Sequence, residues 1–530
     1  MKNKIKYFLA LSALSLFALT ACGTESYPYV AEDSRLAEEI AALPAETDQA
    51  LISELSLANA DGVYGNVYLP DKIGNATITW WSSNHKVINT HAVQSIAPGK
   101  VTRQKEDTTI TLEAKIQKEN GQITKYSQNV VVKAAPKTLK DSDFEAYLFG
   151  HFIGESYGTG QGTANAKATG EQIFFALADV GQGLHFKDMN KSTMSSLKPV
   201  LTSNVGELGV RDPYICRSPE GDTFYLIATD LSVYVRGGWN NNANQATKTG
   251  SLSITLWESH DLVNWTDARL IKVARDDAGM AWAPEMIYCE ETGEYLIFFS
   301  STILEDYDTV DRSKNTNAKI IYRDSVYYTT TRDFVHFGET KQFIPNVAYS
   351  SKTTTRNESD QYAKNNDFRK VIDGSVMKIG KYYYSACKDG GNNEDGGGIR
   401  IQKTDNLYDG KWDFVQNLAS VGFKAQGQTA DNKCLEGPEW FYLNKADRTN
   451  PKVPEIGLMA DYYANTSVGY IPWATTNVED IKNANKSWRQ IKSGSKKGTY
   501  SWGSQTKRHG TILRITAEEV ARLKEKYPIK

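Results

Sequence analysis

The sequence predicts an all-β protein: a small N-terminal β-sandwich followed by a five-bladed β-propeller. Three observations carry this reading. A phrase joining a small polar residue and a turn to an aromatic returns five times, at Phe186, Trp265, Phe337, Trp412 and Trp488, roughly 70 to 80 residues apart. Between these returns, turns with an acidic residue at the mouth lead into apolar strands. Ahead of the repeat lies a run of short strand-like segments without that spacing. At 530 residues the chain is also too long for one ordinary core.

At the start, Lys2, Lys4 and Lys6 precede an apolar stretch from Phe8 to Leu19 and the tetrapeptide Leu19-Thr20-Ala21-Cys22. A positive start, a short apolar segment and a small-residue cleavage site ending on cysteine resemble a bacterial lipoprotein signal. The resemblance implies that residues 1–22 are a signal peptide and that Cys22 becomes the lipidated first residue of the mature chain. The body would then be held at a membrane of the bacterial cell envelope, periplasmic or surface-exposed. A transmembrane helix would need about 20 apolar residues with different flanks.

Residues 31–60 carry a short helical pattern in Leu36, Ile40 and Leu43, then Leu51 and Leu55. Ala76 to Ser83, Val87-Ile88, Gly99 to Val101, Thr109 to Leu112 and Val130 to Val132 then read as short strands between turns, the pattern of a sandwich. Trp80 falls in the most apolar of them and reads as core. This segment, set at 31–135, resembles the degenerate bacterial immunoglobulin-like domains that precede many polysaccharide-degrading catalytic domains. Ala134 to Lys140, with Pro136, reads as a linker, and the propeller occupies 141–530.

Within the repeat, four turns each open a hairpin. Arg211-Asp212-Pro213 leads to Phe224 to Ile227, Trp282-Ala283-Pro284-Glu285 to Glu294 to Phe298, Ile372-Asp373-Gly374 to Tyr382 to Tyr384, and Glu436-Gly437-Pro438-Glu439 to Ile456 to Met459. The innermost strands of a propeller surround one channel, so acidic residues from different blades converge at one mouth. Arg508 to Ile515 reads as a closing strand and Glu518 to Lys526 as a terminal helix.

These phrases, with Tyr214-Ile215 and His509-Gly510, stand in the order seen in glycoside hydrolase family 43, which the whole repeat resembles. The resemblance implies that Asp212 is the general base, Glu436 the general acid, and Asp373 the residue that orients the acid and raises its pKa. It also implies substrate contacts from Arg211, Trp282, Glu285, Trp440 and His509, although aspartate is more usual where Glu285 stands. No cofactor is required. A structural calcium at the propeller centre is implied through His509, held mainly by waters because this hard cation prefers oxygen. The physical logic agrees: an inverting glycosidase needs one carboxylate to activate water and one protonated carboxyl to release the leaving oxygen, roughly 6.5–9.5 Å apart. Glu439 competes with Glu436, but an odd offset along a strand points it to the other face. Asp230, Asp389 and Asp461 read as turn carboxylates.

Composition narrows the partners. With 61 basic and 63 acidic residues the formal charge is −2, which removes the footprint of nucleic-acid binding and points to an uncharged polymer. The aromatic fraction of 11% suits sheets and sugar faces alike. Trp239, Tyr462, Trp473 and Trp502 join Trp282 and Trp440 as candidate sugar platforms. The Gly- and Asn-rich stretches Gly237 to Asn244 and Asp389 to Gly398 read as pocket-shaping loops. Cys216, Cys289, Cys387 and Cys434 lack any metal-ligand spacing and read as buried thiols. The expected activity is removal of a terminal pentose, α-L-arabinofuranose first, from a plant-type polysaccharide or oligosaccharide, with β-xylosidase and endo-arabinanase behind. The rival from another class is a surface glycan-binding propeller without catalysis.

Overall fold

The computed structural model describes residues 28–155, 169–193, 196–239, 245–305, 320–348, 355–356, 368–390, 398–418, 434–463, 468–480, 487–504 and 507–529. The signal segment with Cys22, and residues 240–244 and 391–397 of the two Gly- and Asn-rich stretches, lie outside them. No helix among the described residues is long and apolar enough to cross a membrane. The chain forms two compact units. One comprises the residues up to 55 with 71–81 and 112–128; the other comprises 56–70, 82–111 and 129–530.

The smaller unit holds helices Val30–Ala41 and Gln49–Leu55. The N-terminal sheet is ordered Lys72–Ile73, Ala76–Ser82, Thr108–Gln117, Ile123–Val132. Strand Ala76–Ser82 alternates as the pleat requires: Ala76, Ile78, Trp80 and Ser82 are buried, Thr77 and Thr79 exposed. Trp80 is core, edge-on to Tyr126 with ring centroids 6.4 Å apart.

Among the described residues the larger unit carries five four-stranded antiparallel sheets. Four are meanders in chain order. Sheet II is Val210–Arg217, Phe224–Asp230, Ser253–Ser259 and Arg269–Lys272; sheet III is Trp282–Cys289, Glu294–Leu304, Ile320–Thr331 and Lys341–Ile344. Sheet IV is Val371–Ile379, Tyr382–Asp389, Ile399–Thr404 and Asp413–Asn417; sheet V is Leu435–Tyr442, Ile456–Tyr462, Gly469–Thr475 and Trp488–Gln490. Sheet I draws Lys187–Asp188, Phe174–Ala178 and Phe144–His151 from one end of the repeat and its last strand, Gly510–Thr516, from the other. Gly510 pairs with His151 and Ile515 with Ala146, so two distant parts of the chain share one ladder.

In sheets II and III the recurring aromatic phrase is the turn between third and fourth strands. In sheet II the Ser259 hydroxyl accepts from Leu262 N at 2.9 Å, and Asp261 Oδ1 accepts from Val263 N at 2.9 Å and Asn264 N at 2.7 Å. Sheet III repeats this: Thr331 Oγ1 accepts from Phe334 N at 2.9 Å, and Asp333 Oδ1 from Val335 N at 3.0 Å and His336 N at 2.9 Å. The chain so reversed bridges Trp265 back to Ser259 and Phe337 to Thr331. Short hydroxyl and carboxylate side chains make such turns because they mimic backbone acceptors.

Packing follows the repeat. One apolar cluster lies between each neighbouring pair of sheets: Leu148, Leu226 and Trp257 between I and II; Ile227, Ile297 and Phe299 between II and III; Phe298, Val371 and Val376 between III and IV; Ile401, Trp440 and Trp473 between IV and V; Phe149, Phe441 and Met459 between V and I. The first strands of II to V and strand Gly510–Thr516 neighbour one another in the same order. Cys216, Cys289 and Cys387 are buried and Cys434 half-buried, all as free thiols. The terminal helix Ala517–Lys526 is capped reciprocally by Thr516 and Glu519, and Glu519 also binds Arg217 of sheet II at 2.6 Å.

Candidate active site

Four first strands share one local distortion. Each slips register, between Arg211 and Tyr214, Trp282 and Glu285, Ile372 and Ser375, and Glu436 and Glu439. Three residues on the first strand there span what two span on the second: Glu436 faces Asp461 and Glu439 faces Met459. At the heart of each bulge one residue has positive φ: Asp212 (50°), Ala283 (46°), Asp373 (53°) and Gly437 (51°). Asp tolerates this left-handed conformation better than most side chains, and Gly tolerates it best. A bulge re-aims side chains, and here it turns Asp212 and Asp373 at matching points of sheets II and IV.

Asp212 accepts from Thr229 Oγ1 at 2.9 Å, and His509 Nδ1 lies 3.5 Å from its other oxygen. Asp373 is held at both ends: its N–H donates to Ser300 Oγ at 2.9 Å and its Oδ2 accepts from Gly437 N at 3.1 Å. Burial pushes the Asp373 carboxyl up to about 6, with the charges of Glu436 and Asp212 adding to the rise and His509 opposing it. Glu436 Oε2 accepts from Lys388 Nζ at 2.6 Å, and Arg508 Nη2 approaches Oε1 at 3.5 Å. Burial would raise Glu436, but Lys388 first and Arg508 next outweigh it and leave the carboxyl below its usual range. The expected rise of Glu436 under Asp373 is therefore not found. Two cations beat one neighbouring carboxyl.

Arg508 in turn donates to Asp461 at 2.5 Å. Sequence reading missed Lys388 and Arg508, and took Asp461, Asp230 and Asp389 for turn carboxylates; all three aspartates are buried at the ends of second strands. Register supplies the missing signal. The residues laddered opposite Arg211, Trp282, Ile372 and Glu436 are Thr229, Ser300, Lys388 and Asp461. Each of these four holds a site group: Thr229 holds Asp212, Ser300 the N–H of Asp373, Lys388 holds Glu436, and Asp461 holds Arg508.

Below this layer, Glu285 and Glu439 meet in the interior. Burial and the nearby Glu439 hold Glu285 well above the carboxylate range, and burial brings Glu439 to about 7 although Glu285 and Thr511 hydrogen-bond it. Thr511 Oγ1 donates to Glu439 Oε1 at 2.7 Å. Counting along the strand puts Glu439 on the face opposite Glu436. The bulge adds one residue and returns it to the same side, one layer deeper.

Several expected substrate contacts are corrected. Glu285 and Trp440 are buried, 3% and 5% exposed, because the bulge and the strand period turn them inward; Trp440 packs against Trp488. The Arg211 guanidinium is committed to Glu171 at 2.8 Å and Glu155 at 3.1 Å and lies over the Phe152 ring, so it braces the strand behind Asp212. Tyr462, Trp473 and Trp502 are core. Trp282 is half-buried and edge-on to Trp239, which is 49% exposed; Tyr463, 39% exposed, lies with its ring 4.5 Å from Lys388 Nζ. The implied calcium would rest mainly on waters rather than on side chains. Among the described residues no group of three or more His, Cys, Asp or Glu is arranged to hold an ion directly, and His509 Nδ1 lies toward Asp212.

With this geometry in hand, comparison places the chain. Residues 142–521 match the family model of a glycoside hydrolase family 43-related domain, described as "Probable glycosyl hydrolase domain". The chain belongs to this family 43-related group. Residues 45–135 match the atrophied bacterial Ig domain. An α-L-arabinofuranosidase of Bifidobacterium longum is 30% identical over 389 residues, 70% of this chain; the matched region spans only 31% of that relative's length. Among solved structures, the α-L-arabinanase of Penicillium chrysogenum bound to arabinobiose overlays with TM-score 0.34 and 11% identity, covering 64% of this chain and 80% of that one. An endo-1,4-β-xylanase of Bacteroides thetaiotaomicron gives TM-score 0.36 and 12% identity, covering 66% and 90%.

Proposed function

We propose that this family 43-related chain is an inverting glycoside hydrolase that removes a terminal pentose, α-L-arabinofuranose first, from a plant-type polysaccharide or oligosaccharide. In this reading the five sheets are the blades of a closed five-bladed propeller. The observation that supports it most is the gathering of Asp212, Asp373 and Glu436 from three sheets into one cluster whose charges feel one another. Asp212, steadied by Thr229 and facing His509, takes the proton of the attacking water. Glu436 gives its proton to the leaving oxygen, and Asp373, bonded to Gly437 N, holds the strand that carries Glu436. Exposed Trp239 beside Trp282 and exposed Tyr463 beside Lys388 offer faces on which sugar rings stack. The name of the Bifidobacterium relative supports arabinofuranose over xylose.

The test is hydrolysis of arabino-oligosaccharides, xylo-oligosaccharides and linear arabinan by purified protein, with the first-formed anomer read by proton NMR. Release of arabinose in the inverted configuration is the expected result. Retained configuration would overturn the mechanism, and measurable glycan binding without release would favour the non-catalytic binding propeller.

A further inference from the structure

Lys388 comes from the second strand of sheet IV, yet its ammonium donates to a carboxylate on the first strand of sheet V at 2.6 Å. It is not a surface lysine that happens to lie near: it occupies the same ladder position as Thr229, Ser300 and Asp461, each of which holds a site group. Its side chain is 20% exposed, its partner Glu436 24%, and the Tyr463 ring covers the ammonium at 4.5 Å.

We propose that Lys388 is a positioning residue that sets the pH range in which Glu436 can serve as proton donor, by competing as a fixed cation for the carboxylate that must be protonated. This rests on the proposed role of Glu436 as the acid. The charged groups around the pair are Arg508, His509, Asp373, Asp461 and, through Arg508 and Asp373, Asp212; Tyr463, with Cys434 beside it, faces Lys388. Of the cations, Lys388 makes the closer contact, since Arg508 stands 3.5 Å from Glu436 and is committed to Asp461 at 2.5 Å. Burial opposes the charge on Lys388, but Glu436 and Asp373 more than restore it, so the ammonium persists through neutral pH. A donor so held is protonated only on the acid side, and the alkaline limb of turnover falls early. A neutral side chain at 388 frees the carboxyl and moves that limb upward; an opposite charge at hydrogen-bond distance ordinarily shifts a carboxyl by about 1 to 3 pH units.

The experiment is the pH dependence of kcat/KM on an arabino-oligosaccharide, whose leaving group needs a proton, for the parent protein, Lys388→Met, Lys388→Arg and Glu436→Gln, each first checked for cooperative melting. The expected result is an alkaline limb displaced upward by about one pH unit or more in Lys388→Met. Lys388→Arg keeps the limb near its original place because the charge is kept, and Glu436→Gln removes the limb. An unmoved limb in Lys388→Met, or an equal displacement in Lys388→Arg, overturns the role of Lys388. If Glu436→Gln retains the parent limb, the donor assignment fails instead, and if the parent protein hydrolyses nothing, both fail.

Discussion

At the scale of the residue, the two carboxyls assigned to proton transfer have different partners, and chemistry separates them further. Asp212 has one hydroxyl donor and a histidine at 3.5 Å; Glu436 has a lysine at 2.6 Å and an arginine at 3.5 Å. A general base is needed whatever the leaving group, whereas a general acid is needed only when the departing oxygen is a poor anion. Asp212→Asn should therefore lower kcat/KM by about 10²- to 10⁴-fold on both an arabino-oligosaccharide and 4-nitrophenyl α-L-arabinofuranoside. Glu436→Gln should match that loss on the oligosaccharide and retain far more on the aryl glycoside, because nitrophenolate leaves without a proton. Steady-state kinetics on the two substrates checks this, and equal losses in both variants on both substrates would reverse or dissolve the assignment.

At the scale of the element, the bulge is what converts a strand into a site. It places a residue of positive φ in four first strands, and it uses two aspartates, one alanine and one glycine to do so. Alanine in that region bears strain of about 1 kcal/mol, so Ala283→Gly should be neutral or stabilising by up to that amount. Gly437 differs: a Cβ there would stand 2.5 Å from His509 Cγ, and φ is 51°. Gly437→Ala should cost about 2 kcal/mol or more and shift both His509 and the neighbouring Glu436, which urea midpoints and activity measured together would reveal. The bulge also marks the limit of what the sequence makes legible. The turns Arg-Asp-Pro, Ile-Asp-Gly and Glu-Gly-Pro announce themselves, because only a few residue types tolerate that backbone, and the aromatic turn phrase likewise follows from local hydrogen bonds. The extra residue reverses strand parity beyond it, so Glu439 cannot be placed by counting. Lys388 and Asp461 are visible only through register, which long-range pairing decides, and Arg508 only through its contact with Asp461 of a distant strand. Burial of Trp440 and Trp473 depends on the packing of neighbouring sheets, and nothing in their local sequence separates them from exposed Trp239.

At the scale of the whole molecule, the interior of the larger unit stores acid groups that prefer to be protonated. Glu439 is pushed up to about 7, Asp373 and Asp230 to about 6, and Glu285 and Asp461 are raised as well, in each case first by burial. A carboxyl raised on folding binds its proton more tightly in the native state than in the unfolded chain. Between the unfolded value and the folded one the native protein holds more protons, so stability falls as pH rises through that window. For Glu439 the window runs from about 4.5 to about 7 and is worth on the order of 3 kcal/mol. Groups of the opposite kind limit the gain. Glu291, lowered to about 2, loses its contribution only in strong acid, whereas buried His151, held well below its usual value, favours the native state as pH rises toward neutrality. Several raised carboxyls against one histidine leave the acid side ahead. The melting temperature should therefore be higher near pH 5 than near pH 7.5. Glu439→Gln, which keeps the shape and removes the titration, should flatten that dependence while leaving Asp212, Asp373 and Glu436 in place. Calorimetry of the parent and the variant across this range decides it: a melting temperature that rises from pH 5 to pH 7.5 would show that the Glu285–Glu439 pair is not held protonated in the fold.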